Sequence, residues 1–195
     1  MSRIAQAAVA LALVALPVAS AHADTIPCPG NIINRTVLNV VVAGNCVIRN
    51  STVDGNIEVK TGGNLTVIGS TIKGSVQSEG ANRVRLLPYV ALARETVVIG
   101  DVQIKDMAPS TLVSVIQEAE IGGTILLDTN AAPINVLANQ VKGDVQLFQN
   151  TRRIVLRDNI IDGNLQCTSN RPRPVNGGGN VVEGNAENQC AGYGN

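Results

Sequence analysis

The sequence predicts an all-β chain wound as a single-stranded parallel β-helix, right-handed, with about seven rungs of about 20 residues and disulfide-capped ends. Three observations carry that prediction. One short template recurs six times, the apolar residues are aliphatic almost throughout and rich in Val and Ile, and four cysteines sit two near each end. The template is an aliphatic residue, any residue, Gly, a small polar residue, an aliphatic, usually Gln, and a final apolar residue. It appears at Val53–Val59, Ile72–Ser78, Val98–Ile104, Ile121–Leu127, Val141–Leu147 and Ile161–Cys167. Its glycines are Gly55, Gly74, Gly100, Gly123, Gly143 and Gly163, spaced 19, 26, 23, 20 and 20 residues apart.

Within each copy, the aliphatic two before the Gly and the one two after it should face the same way. The Glu/Gln/Leu position between the later apolar pair should face the other, as in a half-buried strand. A second apolar segment follows each turn, at Leu65–Val67, Val84–Leu86, Leu112–Val115, Ile134–Val136 and Ile154–Leu156. Two strands and two or three corners then complete a rung, and stacking pairs every strand with the rungs above and below. Asn50, Asn139 and Asn159 recur at corners, where Asn tolerates left-handed backbone and hydrogen-bonds locally. The longer spacings between Gly74 and Gly123 place projecting loops at Leu87–Ala91 and Asp106–Ser110. The expected organisation is residues 1–23, a signal peptide; 24–50, an N-terminal cap and first coil; 51–167, the rungs; and 168–195, a C-terminal cap and tail.

Met1 to Ala23 has the order of a secretory signal. Arg3 is followed by an apolar run from Ile4 to Val18, and Ala21-His22-Ala23 offers a small-residue cleavage site. Cleavage near Ala23 would leave a chain secreted, periplasmic or at the cell surface, with no membrane span and no histidine. In that setting four cysteines suggest disulfides, of which three pairings exist. Their positions favour Cys28–Cys46 and Cys167–Cys190 as staples at the two ends. Without CxxC spacing or histidine, a zinc site is not expected. Beyond Cys167, Pro172 and Pro174 exclude a central strand, Gly177-Gly178-Gly179 reads as a turn, and Val181-Val182 reads as a last short strand.

The pattern resembles a group of small exported bacterial β-helix proteins. The resemblance rests on the early cysteine pair, the repeats of V-x-G-N-V type, and an ending with Gly163-Asn164-Leu165-Gln166-Cys167, Gly179-Asn180-Val181-Val182-Glu183-Gly184-Asn185 and Gln189-Cys190. The Gly-centred rungs are also similar, more weakly, to those of bactofilins. The resemblance implies the fold and an exported location, and it transfers no catalytic residue.

Function classes narrow accordingly. Glycoside hydrolysis needs paired carboxylates about 5–10 Å apart. Asp101 and Asp144 hold equivalent template positions but are separated by the rung of Thr124. With no Trp, one Phe and two Tyr, stacking platforms for sugars are scarce. The absence of histidine from the chain beyond Ala23 removes Ser-His-Asp machinery. A formal charge of zero gives no electrostatic case for nucleic acid. No cofactor or metal is expected.

One candidate site remains. Arg152, Arg153 and Arg157 fall in one rung and Arg171 and Arg173 at similar offsets in the next, a possible patch for anionic glycans or surface polymers; Arg83 and Arg85 share the offset three rungs away. Gln77, Gln103, Gln146 and Gln166, with Glu58, form an outward column suited to a side-chain amide ladder. The column Thr52, Thr71, Val97, Glu120, Gln140 lacks the regular Thr array of an ice-binding face. The sequence-level expectation is a non-catalytic structural or adhesive solenoid of the cell envelope or matrix. A glycan-binding or polysaccharide-processing protein is the alternative, and self-assembly is left open.

Overall fold

The computed structural model describes residues 25–28 and 30–194; the expected signal peptide, residues 1–23, lies outside them. The chain is a parallel β-solenoid of three walls. Wall I has nine strands, from Thr25–Pro27 to Ala186–Asn188; wall II has eight, from Asn31–Ile33 to Val175–Asn176; wall III has eight, from Thr36–Val37 to Val181–Val182. Every neighbouring pair of strands within a wall is parallel, as at Val145↔Leu165, Val155↔Val175 and Val141↔Ile161. Among the described residues the one helical element is a 3-10 turn at Val90–Leu92.

Two expectations need correction. Each rung has three strands rather than two, because the template breaks at its glycine: Val141 closes wall III, the chain turns through Gly143, and Val145 opens wall I. Both aliphatics point inward as expected, which hides the corner between them from a period-2 reading. The rungs also number about eight rather than seven. Thr25–Pro27 and Asn31–Ile33, within the expected N-terminal cap and first coil, already pair with the next turn. Ala186–Asn188 adds a closing strand against Leu165–Cys167.

The core is a column of repeating side chains. A typical rung buries Ile134 and Val136 from wall II, Val141 from wall III, and Val145 and Leu147 from wall I. Each stacks on its equivalent one rung away, so aliphatic surface leaves water only when neighbouring rungs are present. The longer rungs depart from the pattern. Ser78 and Ser114 take inward positions, and Met107, expected in a projecting loop, is buried instead, with its Sδ 3.7 Å from Ser114 Oγ.

The disulfides join Cys28 to Cys46 and Cys167 to Cys190, with Cα–Cα distances of 5.9 and 5.4 Å. Residues 191–194, expected as part of a short tail, cover the end of the core. Tyr193 packs against it, its hydroxyl donates to Pro174 O, and Arg173 Nε donates to Gln189 O at 2.6 Å.

Candidate functional site

Three corners run the length of the solenoid, and each uses its polar residues in a ladder. At the Gly corner the small polar residue of each rung accepts from the backbone N–H of the next. Asn56 N donates to Asn39 Oδ1 and Ser75 N to Asn56 Oδ1, both at 2.8 Å. The series continues from Asp101 N to Ser75 Oγ at 3.0 Å, Thr124 N to Asp101 Oδ1 at 2.9 Å, and Asp144 N to Thr124 Oγ1 at 3.3 Å. It ends with Asn164 N on Asp144 Oδ1 at 2.7 Å and Asn185 N on Asn164 Oδ1 at 2.9 Å. The adjoining glycines form a parallel spine, as where Gly143 N donates to Gly123 O at 3.1 Å.

The other corners hold buried amides. Asn130, Asn150, Asn170 and then Gln189 stack between walls I and II, each accepting the backbone N–H of the rung before. Asn139, Asn159 and Asn180 do the same between walls II and III. Asn50 does not join that stack. It sits one residue earlier with φ 47°, and Ser51 and Ser70 take the stacked positions.

Against this framework the carboxylates weighed as acids or bases are committed. Asp101 and Asp144 are ladder acceptors, and Asp54 pairs with Lys73 at 2.7 Å. Among the described residues no group of three His, Cys, Asp or Glu is placed to hold a metal ion. The glutamine column is real but interrupted by Leu126. Gln146 Nε2 donates to Gln166 Oε1 at 3.0 Å and Gln166 Nε2 to Glu187 Oε2 at 3.3 Å. A depression on the same wall between Glu58, Lys60, Gln77, Glu79, Gln103 and Lys105 has balanced charge: Lys60 bridges Glu58, and Glu79 faces Lys105 in register.

The five predicted arginines are all exposed, and the structure divides them. Arg152 and Arg153 precede the strand Ile154–Arg157 and border a shallow depression with Pro109, Ser110, Thr111 and Pro133. The overhanging loop from Asp106 to Val113 makes its far side. Arg171 lies one rung further, its backbone N–H on Asn150 O at 2.8 Å. Arg153 and Arg173 occupy the same register two residues before the Val155↔Val175 pair. Arg173, however, serves the cap, with its guanidinium 5.5 Å over the Tyr193 ring. Arg157 is at the opposite end of its strand, about 13 Å along it at ~3.3 Å per residue, and binds Asp158 at 3.2 Å. What remains together and unengaged is Arg152, Arg153 and Arg171.

Sequence reasoning missed the way the first long loop is fastened. Arg49 lies 5.9 Å over the Tyr89 ring, and Arg94 Nη1 donates to Asn50 Oδ1 at 2.7 Å. Aligning the rungs by their glycines would have placed Arg49 and Asn50 beside that loop's exit, but nothing local to the loop signals its direction. Among the described residues no helix is long and apolar enough to cross a membrane. No protein-family model matches the chain, and comparison with curated proteins and with solved structures finds no match.

Proposed function

We propose that this protein is a non-catalytic, exported structural or adhesive solenoid of the bacterial cell envelope or extracellular matrix. The observation that carries the reading is the seven-link ladder from Asn39 to Asn185, in which Asp101 and Asp144 bind backbone amides instead of standing free. A carboxylate oxygen that accepts the backbone N–H of the next rung is committed to holding the rungs together and is not offered to a substrate. Export is supported by the signal-like order of Met1 to Ala23 and by two disulfides, which persist in oxidising compartments.

The test is incubation of the purified mature protein with a panel of acidic and neutral polysaccharides, together with fractionation of cells expressing the full chain. Retention on envelope or matrix material without new reducing ends or unsaturated uronates is expected. Turnover that disappears in Asp101→Asn or Asp144→Asn would overturn the reading. A second reading, binding of anionic glycans or surface polymers, has its own support: Arg152, Arg153 and Arg171 stand without side-chain partners, and the first two border the depression.

A further inference from the structure

A formal charge of zero conceals an uneven distribution. The eight strands of wall II carry Arg49, Arg83, Arg85 and Arg157 and no Asp or Glu. The corner leading into that wall adds Arg152, Arg153, Arg171 and Arg173. The carboxylates lie elsewhere: Glu58, Glu79, Asp128 and Glu187 on wall I, and Asp54, Asp101, Asp144, Asp162 and Glu183 around the Gly corner. At the edges of wall II two acids are engaged, Asp158 by Arg157 and Glu118 by the Gln117 amide at 2.7 Å, while Glu95 is exposed at the end of the first long loop and Asp106 at the start of the second.

The unengaged cations form two groups along one line. Arg83 and Arg85 lie half-buried on one rung, and Arg83 Nε is buried with no hydrogen-bond partner. A cationic donor left in that state is uncommon in a folded protein; being shut off from solvent it does not itself meet an outside acceptor, which would reach only the exposed parts of the Arg83 and Arg85 side chains. Register carries Arg85 through Val115 and Asn135 to Val155, so three rungs separate this group from Arg152 and Arg153. At ~4.8 Å per rung that is about 14 Å. The wall between is neutral, with Val115, Asn135 and Val155 facing out.

From this arrangement we propose that wall II is a docking surface for a linear acidic polysaccharide of the polyuronate class, lying along the solenoid axis and held at both ends by arginine. The proposal deepens the glycan-binding reading and rests on it. Charge complementarity identifies the occupant. Arg83 with Arg85, and Arg152 and Arg153 with Arg171, form two cationic clusters separated by two rungs that carry no cation on this wall, so a polymer with only one carboxylate per sugar leaves few charges over the neutral wall between them. Duplex DNA carries a charge every ~1.7 Å. Single-stranded nucleic acid needs aromatic platforms, and wall II's strands contain no Phe, Tyr or Trp. A planar, bidentate guanidinium suits a carboxylate.

The test measures binding of the purified mature chain to polygalacturonate of graded length, with neutral dextran, duplex DNA and anionic phospholipid vesicles alongside. Arg83→Gln/Arg85→Gln and Arg152→Gln/Arg153→Gln keep part of each stem, and circular dichroism checks their fold. Expected are salt-sensitive binding to polygalacturonate, strengthening steeply once the chain spans both groups, and about tenfold weakening in each double variant. The length series on the unmodified protein decides the matter if a variant misfolds. Binding that ignores chain length and depends on Arg152 and Arg153 alone would overturn the wall and leave the local patch standing. No binding to polygalacturonate would sink both, and tighter binding to DNA or vesicles would overturn the proposed partner.

Discussion

Asp144 Oδ1 accepts a hydrogen bond from the backbone N–H of Asn164, one rung further along, at 2.7 Å. What this position needs is a short side chain with an oxygen at its tip, and the column meets that need with Asn, Ser, Asp or Thr. Charge is incidental to it. Asp144→Asn keeps the acceptor and is expected to change stability by less than about 0.5 kcal/mol. Asp144→Ala leaves the Asn164 amide without its partner and should cost about 1–2 kcal/mol at this half-buried site. Urea denaturation and hydrogen exchange at Asn164 read the difference. Equal losses in the two variants would show that the carboxylate acts through its charge.

The glycine spine makes a sharper prediction. A β-carbon at Gly143 would stand 2.7 Å from Gly123 O and 2.8 Å from Gly123 C, both backbone atoms that cannot swing aside. Gly143→Ala therefore forces neighbouring rungs apart and should cost about 2 kcal/mol, in the range of core overpacking. Gly44, where nothing lies within 4 Å of an added β-carbon, is the control: Gly44→Ala should stay within about 0.5 kcal/mol. Thermal melts of the two variants decide whether close approach, rather than glycine content, sets rung spacing.

That close approach explains how much of the fold was legible. Gly143 and its five equivalents recur because no other residue fits, and the aliphatics around them recur because each stacks on its own kind. Both constraints leave a mark in the sequence. The third wall left little, since strands such as Gln140–Val141 are two residues long and run into the template without a break in inward-facing periodicity. The Asn corners were half legible: Asn139 and Asn159 were in place, while Asn50 was matched to the stack although its left-handed backbone belongs one step earlier. The candidate site fared worst. Arg153 and Arg157 are close in sequence, but an extended strand carries them to opposite edges of a wall. The segregation of charge onto wall II emerges only when the register sets Arg85 three rungs from Val155, and so from the Arg152 and Arg153 that precede it.

Asn150 tests the buried ladder. Its Nδ2 donates to Leu127 O at 2.9 Å and Asn170 Oδ1 at 2.8 Å, and its Oδ1 accepts from Asn130 N at 3.0 Å and Asn130 Nδ2 at 2.9 Å. Asn150→Ala strands several buried groups and should cost about 3 kcal/mol. Asn150→Asp keeps the acceptor but places a buried carboxylate against Leu127 O, so it should be no better tolerated than Ala at neutral pH. The opposite tolerance of Asp at 144 and 150, measured by denaturant titration, would separate the half-exposed ladder from the buried one. A well-tolerated Asp at 150 would count against the buried ladder.

The C-terminal bridge closes a segment with a sequence separation of 23. In the chain-entropy account, a loop of this size contributes about 3 kcal/mol by restricting the unfolded chain. Cys190 is also the point from which Ala191 to Gly194 fold back over the last rung, so the bridge anchors Tyr193 against the core. Cys167→Ser/Cys190→Ser should lower stability by that amount. Because a solenoid transmits stability between neighbours, exchange protection should fall first at Leu165–Thr168 and Ala186–Asn188 and hold at Ile57–Val59. Uniform loss along the chain would mean that the rungs unfold as one unit. Unchanged melting would assign the cap to the Tyr193–Pro174 and Arg173–Gln189 hydrogen bonds alone.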